Sequence, residues 1–393
     1  MSTSAERPLD GVVVADFSRI LAGPLATMIL GDLGANVIKV ERPRIGDETR
    51  RWGPPWSAGT STYYQGLNRN KRSIALELDD PDDAETAMRL ARTADVLVEN
   101  FRPGTMARWG LSYGDVSARN PTLVYCSISG FGSDESGASL PGYDLLAQAM
   151  GGMMSITGPT GGPPSKAGVA LIDKITGLYA ATGILAALHH ASTTGEGQHI
   201  EVALIDTALA ALLNVGSGFL NAGVDGGLHG NRHPSIAPYQ TYRASDRDFV
   251  LAVGSDRQWQ MACALIDRPD LSADPGFATN TNRVANIDRL EEELEKTLTT
   301  RPASEWVAMF RGAGIPAGPV NAVSDAFAFA AEIGREAVVE TPSASYMFRS
   351  TRSPIRMSDT PPAVRMAPPA LGEHTAEILA WLNKDAPDDT GQG

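Results

Sequence analysis

With 393 residues, 42% of them hydrophobic and 20% charged, the chain has enough apolar material for two or more buried cores. A formal net charge of -13 without any basic run excludes nucleic acid as an expected partner. The two cysteines, Cys126 and Cys263, lie far apart and outside any CxxC spacing, which argues against a disulfide framework or a zinc site and for a reducing, cytoplasmic setting.

In chain order, the N-terminal ten residues lack the basic and apolar regions of a signal peptide. Residues 12–16, VVVAD, are a short apolar run suited to a strand covered on both faces. A helix is expected from Pro24 to a glycine stop at Gly34, followed by a strand at 36–41. Residues 73–78, SIALEL, alternate at period two, and the acid-rich DDPDDAETAMRLARTA after them has helical spacing. Strands at 95–100 and 121–129 continue the pattern. Strands alternating with helices predict an α/β fold with a Rossmann-like, doubly wound parallel sheet. Ligands bind such sheets beyond the carboxyl ends of the strands, here after Asp16, Glu41, Glu99 and Ser127.

Residues 167–190, AGVALIDKITGLYAATGILAALHH, form the longest apolar stretch, and Asp173 and Lys174 interrupt it, so a membrane span is not expected. Beyond residue 213 the composition shifts toward Gly, Pro, Asn and Arg. A strand at 248–255 and helices at 257–266 and 285–300 predict a second, smaller α/β domain. The expected division is a large domain of 1–205 and 370–393, a linker over 206–225, a small domain over 226–325, and an extended return linker over 326–369.

The sequence lacks the signatures of common chemistries. The first strand is followed by FSRILAGPLATM, with one glycine rather than G-x-G-x-x-G, and no Walker A, H-E-x-x-H or G-x-S-x-G occurs. Cations do follow the strands: Arg42 after VIKVE, Arg102 and Arg108 after LVEN, with Lys71 and Arg72 ahead of SIALEL. Singly they read as surface charge; together they suit a ligand with several phosphates. Asp173 has two readings. It is a favoured N-cap residue for a helix beginning at Lys174. It is equally a carboxylate in apolar surroundings, placed to attack an activated acyl group.

Several long motifs in one order resemble the class III CoA-transferases, the family of formyl-CoA transferase and carnitine CoA-transferase. They include PLDGVVVADFSRILAGPLATMILGDLGANVIKVERP, NRNKRSIALEL, DVLVENFRPGTMARWGL, YCSISGFG, PGYDLLAQAMGGMMSITG, TGEGQHIEVALIDTALA and LGEHTAEIL. The resemblance implies that CoA is moved from an acyl-CoA donor to a carboxylic acid acceptor. It implies that Asp173 is the nucleophile, passing through an aspartyl-acyl anhydride and an aspartyl-CoA thioester, with Tyr143 and Asp144 beside the reacting thioester. Positions matching the family's CoA contacts are Leu21, Ala22, Arg42, Leu76, Asn100, Phe101, Arg102 and Arg108. The resemblance further implies no metal, no tightly bound cofactor, and an interlocked ring-like homodimer. It extends to α-methylacyl-CoA racemases, but those carry a His where Tyr143 stands. Moving a proton between two faces of a carbon needs two groups that titrate near neutrality, and a tyrosine, ordinarily near pKa ~10, substitutes poorly. Residues 228–242, LHGNRHPSIAPYQTY, lack the glycine run of formyl-CoA transferase, which argues against formyl and oxalate as substrates and leaves Arg232 and His233 as candidate acceptor contacts.

Overall fold

The computed structural model describes residues 7–344 and 346–384, with backbone only for Glu135. The described residues divide into two compact units, the first of 7–153, 167–224, 336–344 and 346–384, the second of 154–166 and 225–335.

The first unit is built on six strands: β1 (Val13–Asp16), β2 (Asn36–Glu41), β3 (Lys71–Ala75), β4 (Val96–Glu99), β5 (Val124–Ser129) and β6 (Gln198–Ala203). All neighbouring pairs are parallel, in the spatial order β3-β2-β1-β4-β5-β6. This is the strand order of dinucleotide-binding sheets, and its direction of winding reverses between β1 and β4. The sheet is covered on both faces because successive strand residues point to opposite sides. Val14, Val37, Val96 and Val124 pack under the helices α1 (Ala22–Asp32) and α4 (Leu171–Thr194). Ala15, Ile38, Leu97 and Tyr125 pack with α2 (Pro81–Thr93) and the C-terminal helix α11 (Thr375–Lys384). Each fully buried Val, Ile or Leu contributes about 1.5–3 kcal/mol, so the two apolar layers fix the register of the sheet.

Helix α4 meets the length and hydropathy of a membrane span, and one of its faces packs into the core. Ile172, Thr176, Gly177, Ala180, Ala181, Ile184 and Ala187 lie along one buried face. A Cβ on Gly177 would stand 2.7 Å from the Ala22 carbonyl oxygen, so glycine is what lets α4 approach the start of α1. Between α2 and α4 lies α3 (Asp144–Met150), and α5 (Leu204–Ala211) and α6 (Leu213–Ala222) follow β6.

The second unit holds an antiparallel sheet in the order β9-β8-β7, from β7 (Tyr239–Arg243), β8 (Asp248–Ala252) and β9 (Ala317–Pro319). Helices α7 (Asp256–Leu265), α8 (Ile287–Leu298) and α9 (Ala303–Gly312) supply Trp259, Leu290, Leu294, Trp306 and Phe310 to its core.

Several sequence expectations need correction. The 206–225 segment is mostly helix, as α5 and α6. The 326–369 segment is not simply extended: it contains most of α10 (Val323–Glu332) and a hairpin of β10 (Val338–Pro342) with β11 (Met347–Thr351). Residues 154–166 group with the second unit, and the return into the first unit begins at 336 rather than 370. The ends of the expected large domain, 1–6 and 385–393, lie outside the described residues.

Candidate active site

The carboxyl ends of β1 and β4, where the winding reverses, open onto a cavity of about 190 Å³. It is lined by Leu21, Ala22, Asn100, Phe101, Arg102, Tyr143 and Asp173, so residues from four separate sequence motifs meet there. A neighbouring cavity of about 180 Å³ gathers Arg42, Leu76 and Phe101 with Trp109. Phe101 and Arg19 line both. Arg108, in the short helix Thr105–Arg108, is exposed and lines neither cavity.

Asp173 is not the N-cap of α4. The helix begins at Leu171, three residues earlier than Lys174, and Asp173 stands in its first turn. The cap comes from elsewhere in the chain: Oδ1 of Asp144, the first residue of α3, accepts the backbone N–H of Ile172 at 2.8 Å and of Asp173 at 3.1 Å. Gln148 steadies this carboxylate, donating from Nε2 to Asp144 Oδ2 at 2.5 Å while its Oε1 accepts the Ala167 N–H at 2.8 Å. Burial, reinforced by the Asp144 carboxylate, pushes the Asp173 carboxyl up to about 7. The helix N-terminus favours its ionised form and opposes that shift. A half-buried carboxylate with this basicity, on a rigid helix in a cavity, is suited to nucleophilic attack or proton abstraction.

Tyr143 leads into α3 and stands half exposed at the same cavity. Tyr63 was not legible in the sequence. Burial and the carboxylates of Asp173, Asp144 and Asp47 push its hydroxyl up to about 12, so it remains a neutral donor near the two aspartates, its ring edge-on to Trp52 at 5.3 Å. Trp109 was missed as well; its ring meets Phe101 edge-on at 5.2 Å and its Nε1 donates to Asp79 at 2.8 Å.

The cations divide. Arg102 lines the first cavity and is exposed; Arg42 lines the second and pairs with Glu77 at 3.2 Å. Lys71 and Arg72 belong to no ligand cluster, because they begin β3 at the end of the strand away from the cavities. Lys71 is fully buried and donates to Asp16 at 2.9 Å, and Arg72 is held by Asn36 and Glu377. In the second unit Arg232 is taken up by Asp288 and Glu291, a structural role. No group of three or more His, Cys, Asp or Glu side chains arranged to hold a metal occurs among the described residues.

Comparison with known proteins gives the family and the fold. Residues 9–375 match the model of CoA-transferase family III. The chain is 40% identical over 374 residues to the mouse (Mus musculus) succinyl-CoA:glutarate CoA-transferase, covering 95% of this chain and 86% of that protein. It is 42% identical over 320 residues to the acetyl-CoA:oxalate CoA-transferase of Acetobacter aceti, covering 81% and 82%. A crystal structure of a CAIB/BAIF family protein from Brucella suis superposes with a TM-score of 0.87 at 41% identity, over 96% of this chain and all of that one.

Proposed function

This chain belongs to CoA-transferase family III and is a CoA-transferase, and we propose that it exchanges CoA between dicarboxylic acids through covalent intermediates on Asp173. The carrying observation is that Asp173 shares one cavity with Tyr143 and with the Asn100–Arg102 segment at the reversal point of the sheet. The acid class rests on the mouse relative, named for succinyl-CoA and glutarate, both dicarboxylic; the Acetobacter aceti relative is named for acetyl-CoA and oxalate and shares only a dicarboxylate.

The chemistry follows from the residues. Ionised Asp173 attacks the thioester carbonyl of the donor, the C–S bond breaks, and CoA leaves as thiolate. The thiolate attacks the Asp173 carbonyl of the mixed anhydride and releases the donor acid, leaving an aspartyl-CoA thioester. The acceptor carboxylate then attacks that thioester, and thiolate returns to the new acyl group as Asp173 is set free. Each step exchanges one acyl bond for another at unchanged oxidation state, so no external oxidant enters. In this reading Arg102 and Arg42 meet the CoA phosphates, and Leu76 and Phe101 flank the adenine; their support is that they line the two neighbouring cavities.

The interlocked homodimer belongs to the same proposal. Support comes from exposed apolar side chains along α4 to α6, among them Leu178, Leu209, Leu213, Phe219 and Leu220. Exposed apolar surface of this kind marks interaction sites.

A transfer assay with succinyl-CoA and glutarate tests the reading. The wild-type chain should form glutaryl-CoA, and Asp173→Asn should lose at least about 10³-fold in kcat while keeping its fold. An Asp173→Asn variant as active as the wild type would defeat it. Run in D₂O without acceptor, the same assay detects the racemase alternative as deuterium entering the α-carbon of a branched acyl-CoA.

A further inference from the structure

The segment between β1 and α1, Ser18 to Leu21, takes an unusual path. Ile20 has φ +70, a left-handed conformation that is costly for a β-branched residue and persists only where its surroundings impose it. Backbone partners do not impose it. Each bonded group from the Ser18 N–H to the Ile20 N–H is held by a side chain, the first by nearby Asp16 and the rest from distant parts of the chain. Asp16 accepts the Ser18 N–H at 3.0 Å, and Lys39 Nζ donates to the Ser18 carbonyl at 2.9 Å. Asn100 Oδ1 accepts the Arg19 N–H at 2.8 Å while its Nδ2 donates to the Arg19 carbonyl at 2.7 Å. Asp47, itself paired with Lys39 at 3.0 Å, accepts the Ile20 N–H at 3.2 Å. Asp16, Lys39 and Asp47 are all buried.

The strap therefore joins the ends of β1, β2 and β4 through a buried network of charges and one amide. Ile20, Leu21 and Ala22 are walls of the cavity that holds Asp173. We infer that Asn100 is a positioning residue, whose amide clamps Arg19 from both sides and holds the strained strap as a fixed wall of the cavity before substrate enters. The inference rests on the reading of Asp173 as the nucleophile. It departs from the sequence expectation for Asn100: one donor and one acceptor of its amide are engaged with Arg19, and the contribution assigned to it is to the shape of the wall rather than to CoA affinity.

The test is structural and kinetic. In a crystal structure of Asn100→Ala, Ile20 should leave the left-handed region; Ile20 unchanged would overturn the inference. With succinyl-CoA and glutarate, Asn100→Ala should lower kcat roughly 10- to 100-fold, the scale of a misplaced wall, with KM for succinyl-CoA within about threefold. Asn100→Asp keeps an acceptor for the Arg19 N–H but sets a carboxylate oxygen against the Arg19 carbonyl, which repels it, so it should lose at least as much as Asn100→Ala. Adding Ile20→Gly to Asn100→Ala should restore at least about threefold in kcat, since glycine occupies the left-handed region without strain. A rise in KM at unchanged kcat, or no rescue by glycine, marks Asn100 as a substrate contact and sinks the inference. If Asn100→Ala fails to fold, the Asp variant carries both readouts. A wild-type chain that transfers nothing would count against the proposed function instead, and the strap would still be judged by its crystal structure.

Discussion

At the scale of single residues, Asp173 and Asp144 act as a pair. One carboxylate caps the helix that carries the other and raises its basicity. Because Asp173 sits near 7 when folded and near 3.8 in an unfolded chain, the folded state binds its proton more tightly. Stability is therefore lost as pH rises from about 4 to 7, and the penalty is complete above 7. Asp173→Asn removes it, so thermal melts should show stabilisation on the order of 2 kcal/mol at pH 8 and none at pH 4. The nucleophile must be ionised, so kcat/KM should fall about tenfold per pH unit below about 7. Asp144→Asn keeps an oxygen for the two helix N–H groups but deletes the charge. Its acidic limb should move to lower pH, and a limb that stays in place would show that burial alone sets the basicity of Asp173. The sequence disclosed Asp173 through its apolar surroundings, but misplaced the helix start. The cap lies 28 residues upstream, at Asp144, and no local pattern can announce a cap from so far away. Tyr63 sits in no recognisable motif, and only folding brings it near the aspartates.

At the scale of elements, the contact of α4 with α1 sets the distance between the nucleophile and the strap. A methyl at Gly177 would press on the Ala22 carbonyl, whereas one at Gly183 would meet Ile200 at 3.4 Å, an ordinary contact. Gly177→Ala should therefore cost about 1–3 kcal/mol in urea unfolding and reduce transfer. Gly183→Ala should be neutral or gain up to about 1 kcal/mol from helix propensity. Equal effects at the two positions would deny α4 this role. The buried strands β1, β2, β4 and β5 were legible because each is a short apolar run. Strand β6 was not, because its side chains are largely exposed and it carries Gln198, His199 and Glu201. The hairpin of β10 and β11 escaped for the same reason.

For the whole molecule, alternation of strands and helices sufficed to predict a parallel sheet, and the strand order puts the candidate cavity at the reversal between β1 and β4. Unit boundaries were less legible, since residues 154–166 join the second unit through folding and not through composition. If α4 to α6 form a dimer face, light scattering should give twice the chain mass at micromolar concentration, and Leu213→Glu with Leu220→Glu should shift it to monomer or aggregate. A wild-type monomer at that concentration would remove the dimer from the proposal. The central claim is tested most directly by incubating the chain with succinyl-CoA, quenching with hydroxylamine, and sequencing the peptide that contains Asp173 by mass spectrometry. The account predicts a hydroxamate on Asp173 that is absent from Asp173→Asn. Continued glutaryl-CoA formation with Asp173 unmodified at every time point would contradict it.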